Sequence, residues 1–191
     1  MNLILASASP RRKELLEKFG VPFLIRAADI DETMNPDCAP CDEVGRVSRL
    51  KAMATEKETD DIVIAADTIV VCCGNVLGKP RDAEDARAML RLLSGRDHQV
   101  MTGMTVLRGA EARTVTEVTD LHFRKLSETE IARYVRSGEP MDKAGAYGIQ
   151  GGAALFCEKM VGDYYNVMGL PVCRLDKLLK ELAPQIMEDR L

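Results

Sequence analysis

Several side chains in this 191-residue sequence sit where an ordinary fold gains nothing from them. In the run from Ile62 to Val71, an apolar stretch fit for a buried strand is broken by Asp67 and Thr68. Any apolar residue would pack better at position 67. A carboxylate buried there must be hydrogen-bonded, ion-paired or metal-bound, and acids under that constraint gather at functional sites. The first dozen residues carry a second chemical signal: Leu3, Ile4 and Leu5 read as a short strand that runs into Ser7-Ala8-Ser9-Pro10-Arg11-Arg12. Ser9 suits a helix N-cap, and Pro10 suits the first helical position, where its missing N–H costs nothing. Both arginines then fall in the first turn, where the helix dipole disfavours positive charge unless an anion neutralises it. Exposed amides, a hydroxyl at Ser7 and two guanidinium groups outline a phosphate site.

Other candidates lie between and beyond these stretches. Asp29, Asp31 and Glu32 crowd one loop, a pattern that answers either to a divalent cation or to simple solvent exposure. Lys51 borders the buried stripe of a helix beginning at Pro40, so its stem packs while its ammonium either enters a cleft or reaches solvent. Lys79 follows a turn at Gly74-Asn75 that folds the chain back toward the Asp67 end of its strand. The segment 142–152 carries four glycines, too many to order by propensity alone, and Lys143 and Gln150 are its long polar side chains.

The elements that must position these groups follow from periodicity. The first helix places Leu15, Leu16 and Phe19 inward and stops at Gly20; a strand is expected over Pro22 to Ala27. The helix from Pro40 to about Lys57 repeats Val44, Val47, Leu50 and Ala54. Asp82 caps a helix through Leu93. Two β-rich runs, 99–107 and 113–123, form a hairpin, and a capping box at Ser127-Glu128-Thr129-Glu130 opens another helix. A strand from Ala153 to Met160 and a last amphipathic helix from Pro171 complete the chain. Alternating strands and helices with one hairpin predict an α/β fold with a mixed sheet and packed helices, organised as a single domain over residues 1–191. The sequence contains no G-x-G-x-x-G and no Walker A pattern.

Composition narrows the partners. A net charge of −4 and 4% aromatic residues argue against coating nucleic acid, although a local basic pocket suffices for a nucleotide. No stretch is apolar enough to span a bilayer, and the N-terminus lacks a signal-peptide pattern, so a cytoplasmic location is expected. Six cysteines include Cys38-Ala-Pro-Cys41, but no second pair with ligand spacing accompanies it. Cys157 and Cys173 read as small core residues, and the two histidines, His98 and His122, as ordinary hydrogen-bonding groups.

The blocks Ser7–Arg12, the acidic loop with Glu32, Leu50-Lys51-Ala52, Ala65-Ala66-Asp67-Thr68, Gly78-Lys79-Pro80, Leu93-Ser94-Gly95 and Lys143–Gln150 occur in the order found in the Maf family. The chain resembles that family of septum-formation-associated nucleoside triphosphate pyrophosphatases nearly end to end. The resemblance implies an elongated two-lobed fold with a central cleft, related to the inosine-triphosphate pyrophosphatases. It also implies a divalent metal, Mg2+ or Mn2+, and often a homodimer. Carried over by position, Asp67 resembles the catalytic base and Glu32 its acidic partner, the two holding the metal. Lys51 and Lys79 resemble catalytic cations, and Ser7, Ser9, Arg11, Arg12 and Lys143 substrate-binding groups. Ala146-Tyr147-Gly148-Ile149-Gln150, with Arg11 and Thr68, is similar to the branch acting on dTTP and UTP rather than on 7-methyl-GTP. An amide at Gln150 both donates and accepts, and the N3–H between two carbonyls of uracil or thymine complements it in a way cytosine reverses. A non-catalytic, nucleotide-binding regulator of septum formation is the rival reading. It sits badly with Asp67 and Glu32, because a mere binder gains by losing carboxylates that repel phosphate.

Overall fold

A computed structural model of the chain describes residues 1–188, and its described residues divide into two compact units. The first comprises Met1–Asp67, Thr102–Glu117 and the segment from Gly169 onward; the second comprises Thr68–Met101 and Val118–Met168. The strands are β1 (Leu3–Leu5), β2 (Leu24–Ile25), β3 (Ile62–Cys72), β4 (Asn75–Leu77), β5 (Asp97–Arg108), β6 (Glu111–Phe123) and β7 (Cys157–Val161). Among the described residues they form a seven-stranded mixed sheet in the order β2-β1-β3-β5-β6-β7, with β4 paired to β3. The helices are α1 (Pro10–Glu17), α2 (Pro40–Ala54), α3 (Ala83–Leu93), α4 (Glu128–Arg136), α5 (Tyr164–Met168), α6 (Val172–Leu182) and α7 (Pro184–Glu188). The expected mixed α/β architecture is therefore present.

In the first unit, β1 lies parallel to both β2 and β3, with Leu5 opposite Ile64. Its three residues are fully buried, as a continuous apolar run with strands on both sides should be. Ile4, Ala6, Ala52, Val63, Ala65 and Leu107 form one core cluster, which fixes α2 on this part of the sheet. The approach is close: a Cβ on Gly103 would sit 2.3 Å from the Val44 carbonyl oxygen, so only glycine allows α2 this near to β5.

In the second unit, α3 starts at Asp82, whose carboxylate accepts the amides of Glu84 and Asp85. Helix α4 starts with a complete capping box between Ser127 and Glu130. Its core is aromatic. Phe123 meets His98 and Tyr147 edge-on at 4.7 and 4.8 Å between ring centroids, and Tyr134 meets Phe156 at 5.2 Å. Buried His98 shares a 2.9 Å hydrogen bond between Nε2 and the Tyr147 hydroxyl. That is the ordinary hydrogen-bonding role expected of it, and His122 likewise pairs with Asp97 at 2.8 Å.

Some boundaries differ from the sequence expectations. The strand expected from Pro22 to Ala27 shrinks to Leu24 and Ile25, both exposed at the sheet edge, where Pro22 has no amide to pair. The first tight turn falls on Cys73 and Gly74, both at positive φ, and Asn75 already belongs to β4. The strand expected from Ala153 to Met160 begins only at Cys157, because Gly152–Leu155 coil into a 3₁₀ turn. Cys157 is half-buried and Cys173 exposed, so neither is a core residue; Cys72 is the buried one. Helices α5 and α7 are additions, and α7 follows the helix expected to be last.

Candidate functional site

The site in the first unit grows from strand direction. Because β1 and β3 are parallel with Leu5 opposite Ile64, the chain leaves β1 toward Ser7 at the same end at which β3 reaches Asp67. Carboxyl ends of parallel strands are where α/β sheets offer backbone amides and side chains to ligands. Helix α1 begins there as the sequence required. Ser9 caps it by accepting the Arg12 amide, and Pro10 occupies the first turn.

Lys51 lies at the centre of this end. It is 8% exposed, near the last turn of α2. Its ammonium donates to Asp67 Oδ1 at 2.7 Å and lies 2.9 Å from Glu32 Oε2. Asp67 is buried as well, whereas the Glu32 side chain is 55% exposed. The interruption of β3 by a carboxylate is thus explained by a buried ion pair, and the acidic loop sends one of its three acids to the same cation. Of the two options left open for Lys51, the inward one is realised.

Arg12 adds a second cation. Its Nε donates to the Gly169 carbonyl at 2.9 Å and its Nη1 to Ser7 Oγ at 3.1 Å, while Ser7 Oγ also accepts the Ser9 amide at 3.2 Å. Burial lowers the pKa of this guanidinium; the charges of Asp67 and Glu32 oppose that shift, and Arg11 reinforces it. Arg11 is half-buried beside it. Seven of the residues singled out in the sequence, Ser7, Ser9, Arg11, Arg12, Glu32, Lys51 and Asp67, belong to this unit.

Two residues without any signal of their own hold the acidic loop. Buried Glu43, on α2, accepts the Asn35 amide at 2.7 Å and two bonds from Arg46 at 2.9 and 2.8 Å. Arg46 also donates to the Thr33 carbonyl at 2.9 Å. Bonds from Arg46 first, and from the Asn35 amide second, hold the Glu43 carboxyl down at about 2. Helical spacing places Glu43 and Arg46 one turn apart and Lys51 further along the helix. That pattern, an acid three residues before an arginine, is too common to flag a clamp in advance.

The second unit carries the other candidates. Thr68 follows Asp67 along β3, and Lys79 is exposed two residues after β4. Lys143 donates to the Glu139 carbonyl at 2.6 Å and to Asp142 Oδ1 at 2.5 Å. Gln150 is exposed within the glycine-rich loop.

Among the described residues no three metal-ligating side chains cluster. The two carboxylates that share Lys51 nevertheless fit a hard divalent cation, since Mg2+ ordinarily takes one or two carboxylates and fills its shell with water and substrate phosphate oxygens.

The model of the family described as Maf-like protein matches residues 2–182, and the chain belongs to that family. It is 51% identical over 181 residues to the dTTP/UTP pyrophosphatase of Alkaliphilus metalliredigens, covering 93% of this chain and 94% of that one. It is 47% identical over 191 residues to the dTTP/UTP pyrophosphatase of Hahella chejuensis, covering 98% and 95%. A HAM1 protein from Coxiella burnetii has a similar fold, with a TM-score of 0.52 at 16% identity over 94% of this chain and 98% of that one.

Proposed function

We propose that this protein is a nucleoside triphosphate pyrophosphatase that hydrolyses dTTP and UTP to the monophosphate and pyrophosphate. The observation that carries the reading is the buried Asp67–Lys51 pair with Glu32 on the same ammonium, set at the strand end where α1 begins and its Arg12 donates to Ser7. Curated relatives about half identical to this chain bear the matching name.

The chemistry asks for these groups. Breaking the α–β phosphoanhydride joins a water oxygen to phosphorus while the bridging oxygen leaves with pyrophosphate, and charge builds on the phosphoryl oxygens. Asp67 orients that water and takes its proton. Lys51, Arg11 and Arg12 hold phosphoryl oxygens, and the Ser7 and Ser9 hydroxyls and the amides opening α1 add donors. Glu32 and Asp67 would hold a divalent metal, Mg2+ or Mn2+, which when bound neutralises phosphate charge. By their positions in the family pattern, Lys79 is a further catalytic cation and Lys143 a substrate-binding group, and Arg11, Thr68 and Gln150 are the residues that select the base, Gln150 through its amide. A wrong base leaves that amide unpaired, which costs about 1–3 kcal/mol, a preference of roughly five- to a hundredfold.

The direct test measures pyrophosphate and inorganic phosphate separately, with Mg2+ or Mn2+, for dTTP, UTP, CTP, dATP and 7-methyl-GTP. Release of one pyrophosphate per dTTP or UTP, with slower turnover of the others, is expected. Orthophosphate as the product, no turnover at all, or best activity on 7-methyl-GTP would each refute the assignment.

A further inference from the structure

The glycine-rich loop bearing Gln150 is ordered from outside its own sequence. After the 3₁₀ turn Glu139–Asp142 the loop holds only the short 3₁₀ turn Ala144–Ala146 and the start of another, Gly152–Leu155, and Gln150 lies between these two. Two side chains that precede the loop grip its backbone. The hydroxyl of Tyr134, a residue 6% exposed on α4, accepts the Gly148 amide at 3.0 Å and donates to Glu139 Oε1 at 2.8 Å. Glu139 Oε2 accepts the Gly152 amide at 3.0 Å. The carboxylate is seated so closely that a Cβ on Gly151 would lie 2.1 Å from Oε1, so the glycine there makes room for the clamp. One continuous chain of hydrogen bonds therefore fastens the backbone two residues before Gln150 and two residues after it.

We propose that Glu139, acting with Tyr134, is a specificity-determining positioning residue. It fixes the backbone on both flanks of Gln150, so the exposed amide meets the base edge in one orientation. The proposal rests on the reading of Gln150 as the base-selecting group. An amide on a loose loop can shift or turn over to satisfy either a uracil-type or a cytosine-type edge, and a hydrogen-bonding site discriminates only when it cannot adapt. Glu139 suits the task because both carboxylate oxygens are acceptors and both partners are donors. A glutamine in its place offers one acceptor and loses one of the two bonds.

The test compares wild type, Glu139→Ala, Glu139→Gln, Tyr134→Phe, Gln150→Ala and the double variant Glu139→Ala/Gln150→Ala. The main readout is the ratio of kcat/KM for dTTP over dCTP. Tripolyphosphate, which has no base, serves as a competitive inhibitor, and amide exchange is followed at Gly148 and Gly152. Glu139→Ala is expected to lower the ratio about tenfold and to speed exchange at Gly152, with tripolyphosphate inhibition changed less than twofold. The double variant is expected to show the same ratio as Gln150→Ala alone. An unchanged ratio in Glu139→Ala, where Gln150→Ala lowers it, overturns the positioning role and leaves the Gln150 reading standing. Equal losses for dTTP, dCTP and tripolyphosphate also overturn it, because they mark general damage. A full ratio in Gln150→Ala instead refutes the Gln150 reading itself. If Glu139→Ala does not fold, Glu139→Gln and Tyr134→Phe, each of which removes part of the clamp, carry the same comparison.

Discussion

Asp67 and Lys51 show how a costly pair is tolerated at the scale of single residues. Each is nearly excluded from solvent, and each is satisfied by the other at 2.7 Å. Such pairs contribute little net stability but are expensive to break, because the remaining charge stays buried. Asp67→Asn keeps an oxygen facing the lysine and removes the carboxylate proposed to accept the water's proton. It is expected to leave the fold intact while turnover falls by about two to four orders of magnitude. Lys51→Met strands the carboxylate and is expected to cost about 3 kcal/mol, less in the double variant with Asp67→Asn. Denaturant unfolding and single-turnover kinetics on the three variants check both statements. Normal turnover in Asp67→Asn would remove this residue from the mechanism.

Helix α2 works as an element, because one face serves two ends. Its apolar residues Val44, Val47 and Ala52 are buried, while Glu43, Arg46 and Lys51 pin the acidic loop at Asn35, Thr33 and Glu32. Glu32 is largely exposed, so its place depends on that loop and not on packing of its own. Glu43→Ala removes the acceptor for the Asn35 amide. Exchange at that amide is expected to accelerate, and turnover to fall severalfold as Glu32 loses its fixed position. Slow exchange at Asn35 in the variant would show that the loop is held by something else. The buried face of α2 was only half legible from its spacing: Val44 and Val47 are buried as expected, but Leu50 and Ala54 are exposed and Lys51 and Ala52 lie inward instead. The cap at Ser9 and the capping box at Ser127 are as expected. The clamps at Glu43 and Glu139 were not legible, because each joins a side chain to a backbone amide, and a sequence shows every amide alike.

At the scale of the whole molecule, pH separates two stability losses. Burial pushes His98 down to about 4 from an ordinary 6.5. A folded-state value below the unfolded one means that its contribution is complete above pH 6.5 and is lost as pH falls from 6.5 toward 4, by on the order of 3 kcal/mol. Glu43, held at about 2, contributes fully above about pH 4.5 and loses its contribution as pH falls toward 2. Melting temperatures of wild type, His98→Gln and Glu43→Gln across pH 8 to 2.5 are expected to flatten in the upper window for the first variant and in the lower for the second. Parallel curves for all three proteins would refute both assignments. The sequence by itself determined the type of most elements, the starts of α1, α2, α3 and α4 and the unusual placing of Asp67, because periodicity, capping and the cost of a buried charge act over a few residues. It left Lys51 and the acidic loop with two outcomes each. Only the tertiary structure decided that Lys51 joins Asp67 to Glu32, 16 positions from one and 19 from the other, and that Tyr134 and Glu139 order the glycine-rich loop. Those arrangements depend on which elements pack together, and packing is settled by the shape of the assembled core rather than by any local run of residues.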